Sequence, residues 1–500
     1  MFEFTGHYAR DIGVATITRF CGKNHPSELT VSDIETVVEY VRRQYPKPPL
    51  RSYLTIAFTT NGWFIQNAYN PDNKPHLSAE EREELLQTRN MWGDRHLVQW
   101  TAESEQHPLE TDIMTGTPAV SVVLSGKLEP GRAGRAQLPL TAGDDAINFY
   151  PNGNPGLPVS GETLLAMQVF PLGCIKISGG LLAVHSDNEE LILDFAGDFL
   201  NQNRRYVQLA QDTGEGEISS PHYALRTLLI DMLLKADRLQ REAIEDAELF
   251  SMTAYHLNNG KNPYLEIYHL PMQVVGFLRD MHLQVHRHKW NAIVQRAWEV
   301  APTMKGGKQK AGDFKPKRNW LYEDIFTLPG NAYAFLRTYF LRTALRHARQ
   351  RLGDPSVDYS MKDETELISW DITARFLKGI MNMEKERIDA IRTMGDRLAD
   401  YVVSQNDRYL FANFRTQNYH TFRTTLLRAS RQEVSRGNPP LLTFDPYVEV
   451  FEVAEDYPSS SWRLARDLLL IRMTERLYEL GWLKLNTDSI PEVTDDPETV

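Results

Sequence analysis

Several clusters in this 500-residue chain could do chemistry. In "RDMHLQVHRHKW", His282 and His286 stand one helical turn apart with Asp280 close by, the spacing of a helix-borne metal site or metal-dependent nuclease centre. The Glu of a zincin helix is missing, however, and Arg287 and Lys289 alternate with the histidines and repel a cation, so a basic helix face competes with that reading. "AVHSDNEE" lines up His185, Ser186, Asp187 and Asn188, open to acid–base work or to a simple turn. "MKGGKQKAGDFKPKR", Met304 to Arg318, holds Lys305, Lys308, Lys310, Lys315, Lys317 and Arg318 against Asp313 alone, in a chain of formal charge −11. "RTYFLRTALRHARQR", Arg337 to Arg351, follows with five arginines and no acid. Two neighbouring basic elements make a footprint for phosphate; the competing reading is a solvated surface loop.

Elsewhere there is no nucleophile elbow and no Walker loop, because "KGGKQK" lacks the Ser or Thr that holds magnesium after the lysine. Cys21 and Cys174 supply neither a disulfide framework nor a zinc ligand set, which suits a reducing, cytoplasmic setting. Glu3, Arg10, Asp11 and Arg19 interrupt the apolar core that a secretory peptide needs, and the apolar runs are too short for a spanning helix. The expectation is a binding protein off the membrane, with no catalytic residue, metal or cofactor.

The elements that must position these residues change character twice. The first part reads as mixed α and β: a helix opened by "LTVSDIETVVEYVRRQY", then a strand "SYLTIAF" turning at Asn61-Gly62 into "WFIQNAY" as a hairpin, then buried strands in "PAVSVVLSG" and "GCIKISGGLLAVHS". From Pro221 the pattern is helical, and "RLGDPSVDYSMKDE" breaks it before a further helical block. The expected fold class is an α/β (mixed α+β) N-terminal body with a helical extension, followed by a mostly α-helical C-terminal bundle. The divisions fall at 1–220, 221–355 with the basic loop 304–318, 356–485, and an acidic tail 486–500.

"FTGHYARDIGVATITRFCGK", "LTVSDIETVVEYV", "TNGWFIQNAYN", the long "LPLTAGDDAINFYPNGNPGLPVSGETLLAMQVFPLGCIKISGGLLAVHSDN" and "RLARDLLLIRMTERLYE" together resemble one family over most of the chain. It is the large (Cas-eight type) subunit of type I-B CRISPR Cascade complexes, in the group that includes the Cst and Cmx variants. Glu80 to Thr111 departs from the pattern.

The resemblance implies a non-catalytic subunit that reads the protospacer-adjacent motif (PAM) in target double-stranded DNA, helps open the R-loop, and recruits an effector helicase–nuclease or, in transposon-encoded relatives, transposition proteins. Its partners would be the guide RNA, the Cascade backbone and handle-capping subunits and a small subunit. Asn61, Trp63, Gln66 and Asn67 are then the expected motif readers, with the basic loop on the duplex backbone; alternatively Asn61-Gly62 is a plain turn and Trp63 is core. Arg408, Arg415, Arg423, Arg428, Arg431 and Arg436, with Glu433 the sole acid between them, form an expected track for single-stranded DNA, and Met361 a candidate internal start for a separate small subunit. A scaffold that binds protein alone is the remaining alternative.

Overall fold

The computed structural model describes residues 2–101, 110–143, 153–243, 250–301, 314–345, 351–454, 457–458 and 461–491. Helix α1 (Tyr8–Phe20) has no polar face, since every residue from Ala9 to Thr18 is buried. A helix buried all round must be enclosed by other elements. It is followed by α2 (Val31–Gln44), α3 (Leu50–Leu54), α4 (Ala79–Leu97), α5 (Gly161–Val169) and α6 (Glu189–Thr213), and it packs between α5 and α6. Gly13 permits the approach to α5, because a Cβ there would sit 2.1 Å from the Ala166 carbonyl oxygen. Arg10 and Asp11 are buried in α1, so each must be paired. Asp11 accepts from the Thr5 and Gly6 amides and from His185 Nε2, at 2.8, 2.7 and 3.2 Å. Burial alone would raise its pKa, but these hydrogen bonds outweigh it and hold the carboxyl below its ordinary range.

Beside these helices lie a short pair, β1 (Arg132–Ala133) with β2 (Leu157–Pro158), and a four-stranded antiparallel sheet in the order β3 (Ile175–Ile177), β4 (Gly180–Ser186), β5 (Met252–Asn258), β6 (Tyr264–Leu270). Ala183 pairs with Tyr255, and Tyr255 with Ile267, placing β4 inside and β6 at the edge. The chain divides into two compact units, residues 1–225 with 239–270 and residues 226–238 with 271–500.

The second unit takes most of α7 (Leu225–Ala243), then α8 (Met272–Met281), α9 (Gln284–Arg296), α10 (Trp320–Ile325), α11 (Ala332–Tyr339), α12 (Trp370–Gly379), α13 (Lys385–Gln405), α14 (Arg408–Ala412), α15 (Tyr419–Ser435), α16 (Phe444–Phe451), a small pair β7 (Glu452–Ala454) with β8 (Tyr457–Pro458), and α17 (Trp462–Glu479). The fold class is therefore mixed α+β in the N-terminal body and mostly helical beyond it. Phe376 of α12 sits among Phe277, Phe335 and Phe340, with ring centroids 5.4, 5.4 and 5.1 Å away.

Three expectations about elements are corrected. The 50–69 segment is not a hairpin: Leu50, Tyr53, Leu54, Ala57 and Phe58 are buried at three- and one-residue intervals, the period of a helical face, and α3 continues in tight turns through Gln66. Neither Asn61 nor Gly62 adopts the positive φ that an Asn-Gly hairpin turn requires. "PAVSVVLSG" is not a strand either; a single bridge from Pro118 to Thr111 and the Val120 amide to the Val159 carbonyl hold it as a loop. Finally, the region after Pro221 is not all helix. Its strands β5 and β6 complete the sheet of the first unit, so the expected boundary at 220 does not match the compact units, nor does that at 355, across which the Phe376 cluster extends.

Candidate functional site

The 59–69 turns, α4 and the 124–137 loop meet around a cleft of about 650 Å³ in the first unit. Tight backbone bonds, Gly62 to Thr59 and Gln66 to Gly62, wind the first segment so that Trp63 turns inward while Asn61 and Gln66 reach the lining. Trp63 forms the floor. Its Nε1 donates to Gln168 Oε1 at 3.1 Å, and its ring lies against Gly93 of α4. Asn67 opens the short 3₁₀ turn Asn67–Tyr69 and is exposed, but does not line the cleft.

Helix α4 starts at a reciprocal cap between Ser78 and Glu81, and α2 holds it through Arg42, whose guanidinium is 2.6 Å from Asp94. One turn separates its cleft residues Trp92 and His96. The indole of Trp92 runs nearly parallel to the ring of Tyr69, 16° between planes and 6.3 Å between centroids, and Arg95 covers it at 4.6 Å. His96 Nδ1 lies 2.7 Å from the Trp92 carbonyl oxygen. Burial pushes the His96 pKa down to about 4, so at neutral pH the ring is uncharged. Nδ1–H then donates to that carbonyl, and Nε2 is left as an acceptor.

The opposite wall is fixed from a distance. Asn259, fully buried in the β5–β6 turn, donates to the Ala57 carbonyl at 2.8 Å and accepts from Arg135 Nε at 2.8 Å and the Leu140 amide at 3.2 Å. Gln137 is occupied by Gly134 and Leu124. Among the described residues the side chains of Asn61, Gln66 and Lys127 have no hydrogen-bond partner, so the cleft presents two amides, a cation, a neutral imidazole and an aromatic pair. Sequence reasoning reached Asn61, Trp63 and Gln66 but not Tyr69, Trp92, His96, Lys127 or Asn259. The turn signal "NNGKNP" between two alternating runs could have found the last.

The basic elements fare differently. Lys305, Lys308 and Lys310 lie outside the described residues. Lys315, Lys317 and Arg318 are exposed, and the amides of the last two are tied to Glu299 at 3.0 and 3.1 Å. Of the five arginines expected as a footprint at 337–351, Arg346 and Arg349 lie outside the described residues, and the other three are corrected: Arg337 faces Asp467 at 3.3 Å, Arg342 donates to Glu364 at 2.7 Å, and Arg351 donates to Asp324 at 2.9 Å. These are internal ion pairs whose charge is not available to phosphate.

Of the six track arginines, Arg428, Arg431 and Arg436 share a groove of about 620 Å³ along α15 with Thr424, Gln432 and Ser435. Arg428 stands 4.5 Å over the Tyr409 ring and Arg436 pairs with Glu433 at 3.0 Å. Arg408 and Arg415 are exposed and Arg423 half-buried, none of them on that groove. Met361 is buried, its sulfur 3.7 Å from Thr474 Oγ1.

The histidine cluster does not converge. His286 is buried in α9, Asp280 faces Arg375 at 3.9 Å, and among the described residues no three His, Cys, Asp or Glu side chains gather into a metal-sized group. "HSDN" is a joint: Ser186 Oγ donates to the Ser251 carbonyl at 2.6 Å, and Asn188 caps α6. Among the described residues no helix is long and apolar enough to cross a membrane. No protein-family model matches the chain, and no curated protein matches it in sequence.

Proposed function

We propose that this chain is a non-catalytic nucleic-acid-binding subunit, the large subunit of a type I-B CRISPR effector ribonucleoprotein, reading a short motif in target duplex DNA in the cytoplasm. The observation that carries the reading is the convergence of Asn61 and Gln66, unpartnered amides, with Lys127 on one cleft. Amides read base edges and a lysine meets phosphate, the division of labour of a sequence-specific site. The order of the family-like segments supports the same reading, and the cations at 315–318 and along α15 supply further phosphate contacts. The guide RNA, backbone subunits and an effector nuclease or transposition machinery are the partners this role requires.

Selection from duplexes with randomised positions, using the full-length chain in its assembly, tests the reading. A short motif should be enriched, and Gln66→Ala should relax it by roughly tenfold at one position. Enrichment of no motif contradicts it.

A further inference from the structure

We infer that the cleft takes a single unpaired nucleobase, turned out of the helix, rather than the edge of a stacked base pair. The inference rests on the nucleic-acid reading above and names what that site holds. A duplex is read when a protein element projects into its groove, where the base edges lie. Asn61 and Gln66 instead line a concavity of about 650 Å³, the size range of small-molecule sites. The base must therefore come to the amides.

What the cleft offers suits such a base. Tyr69, which lines the cleft and is backed by the nearly parallel indole of Trp92, supplies an aromatic ring on which any base can stack. Asn61 and Gln66 each carry a donor and an acceptor for a Watson–Crick edge, and neutral His96 adds an acceptor at Nε2. Lys127, on the same cleft, supplies a cation for a phosphate. Extrusion costs least where the base is already unpaired, so the site should favour DNA carrying one.

The test uses the full-length chain in its assembly and two duplexes of the same sequence, one fully paired and one with a single bulged 2-aminopurine. The bulged duplex should bind about tenfold more tightly, with the 2-aminopurine fluorescence quenched on binding by stacking. In Tyr69→Leu that ratio should fall to near one and the quench should disappear. Gln66→Ala, at a part-exposed position where misfolding is not at issue, should lower the ratio while the quench persists. Equal affinity for both duplexes, or a preference that survives Tyr69→Leu, overturns the inference and leaves duplex reading standing. Binding of neither overturns the underlying reading with it.

Discussion

The Nε of Arg135 donates to the side-chain oxygen of Asn259 at 2.8 Å, joining the turn of the outer hairpin to the wall of the cleft. The same amide reaches the Ala57 carbonyl, so one buried residue sets the spacing between two of the cleft's walls. Asn259→Ala leaves the Ala57 carbonyl, the Leu140 amide and Arg135 short of partners, at about 1–3 kcal/mol for each group left buried and unpaired. Hydrogen exchange should show lost protection around 56–58 and 135–140 in this variant, with the α15 region unchanged. Unaltered exchange at the cleft walls would refute the role given to Asn259.

Gly93 offers a prediction of opposite sign to helix propensity. Alanine in place of glycine in a helix normally adds about 1 kcal/mol of stability. Here the new Cβ would meet Trp63 at 3.0 Å, and the bond from the indole to Gln168 resists the shift that would relieve it. Gly93→Ala should therefore lower stability by about 1–3 kcal/mol, read as a fall in the thermal midpoint. A midpoint equal to or above that of the parent would show that Trp63 moves.

His96 makes stability pH-dependent. Its pKa falls from 6.5 when unfolded to about 4 when buried, so between those values the unfolded chain binds a proton that the folded chain does not. Stability declines as pH drops through that window, by about 3 kcal/mol in all at this residue, and the contribution is flat below it. Thermal midpoints from neutral pH to about pH 4.5 should fall less steeply in His96→Asn than in the parent. Parallel pH profiles would contradict the burial argument.

A product starting at Met361 would keep Phe376 but lose Phe277, Phe335 and Phe340 that surround it, and would strip Asp467, fully buried, of Tyr333 and Arg337. Residues 361–500 made alone should bind a hydrophobic dye and melt without a cooperative transition. Residues 271–500 restore the cluster and should melt more sharply. A sharp, dye-free melt of the shorter piece would show that it folds on its own, as a separate small subunit requires.

How far the sequence could be read depended on which signal each segment carried. Long helices were legible because period and caps agree: Thr30 with Asp33 opens α2, and apolar residues recur along α13 and α17. "GCIKISGGLLAVHS" was legible as strands because its apolar run is bounded by glycines. The 50–69 segment misled because Asn61-Gly62 is a strong hairpin signal, while tertiary burial of Tyr53 and Phe58 selects the helical period instead. Arg337 and Arg342 read as basic surface because their partners Asp467 and Glu364 are distant in sequence. The cleft was half legible for the same reason: Trp92 and Lys127 reach Gln66 through folding alone.

The most direct test of the account is isolation of the tagged full-length chain from its own host, with sequencing of retained RNA and identification of retained proteins. Short RNAs of spacer flanked by repeat sequence should be retained, together with backbone subunits in fixed proportion. A chain that emerges alone and free of RNA would contradict its assignment to a guided effector complex.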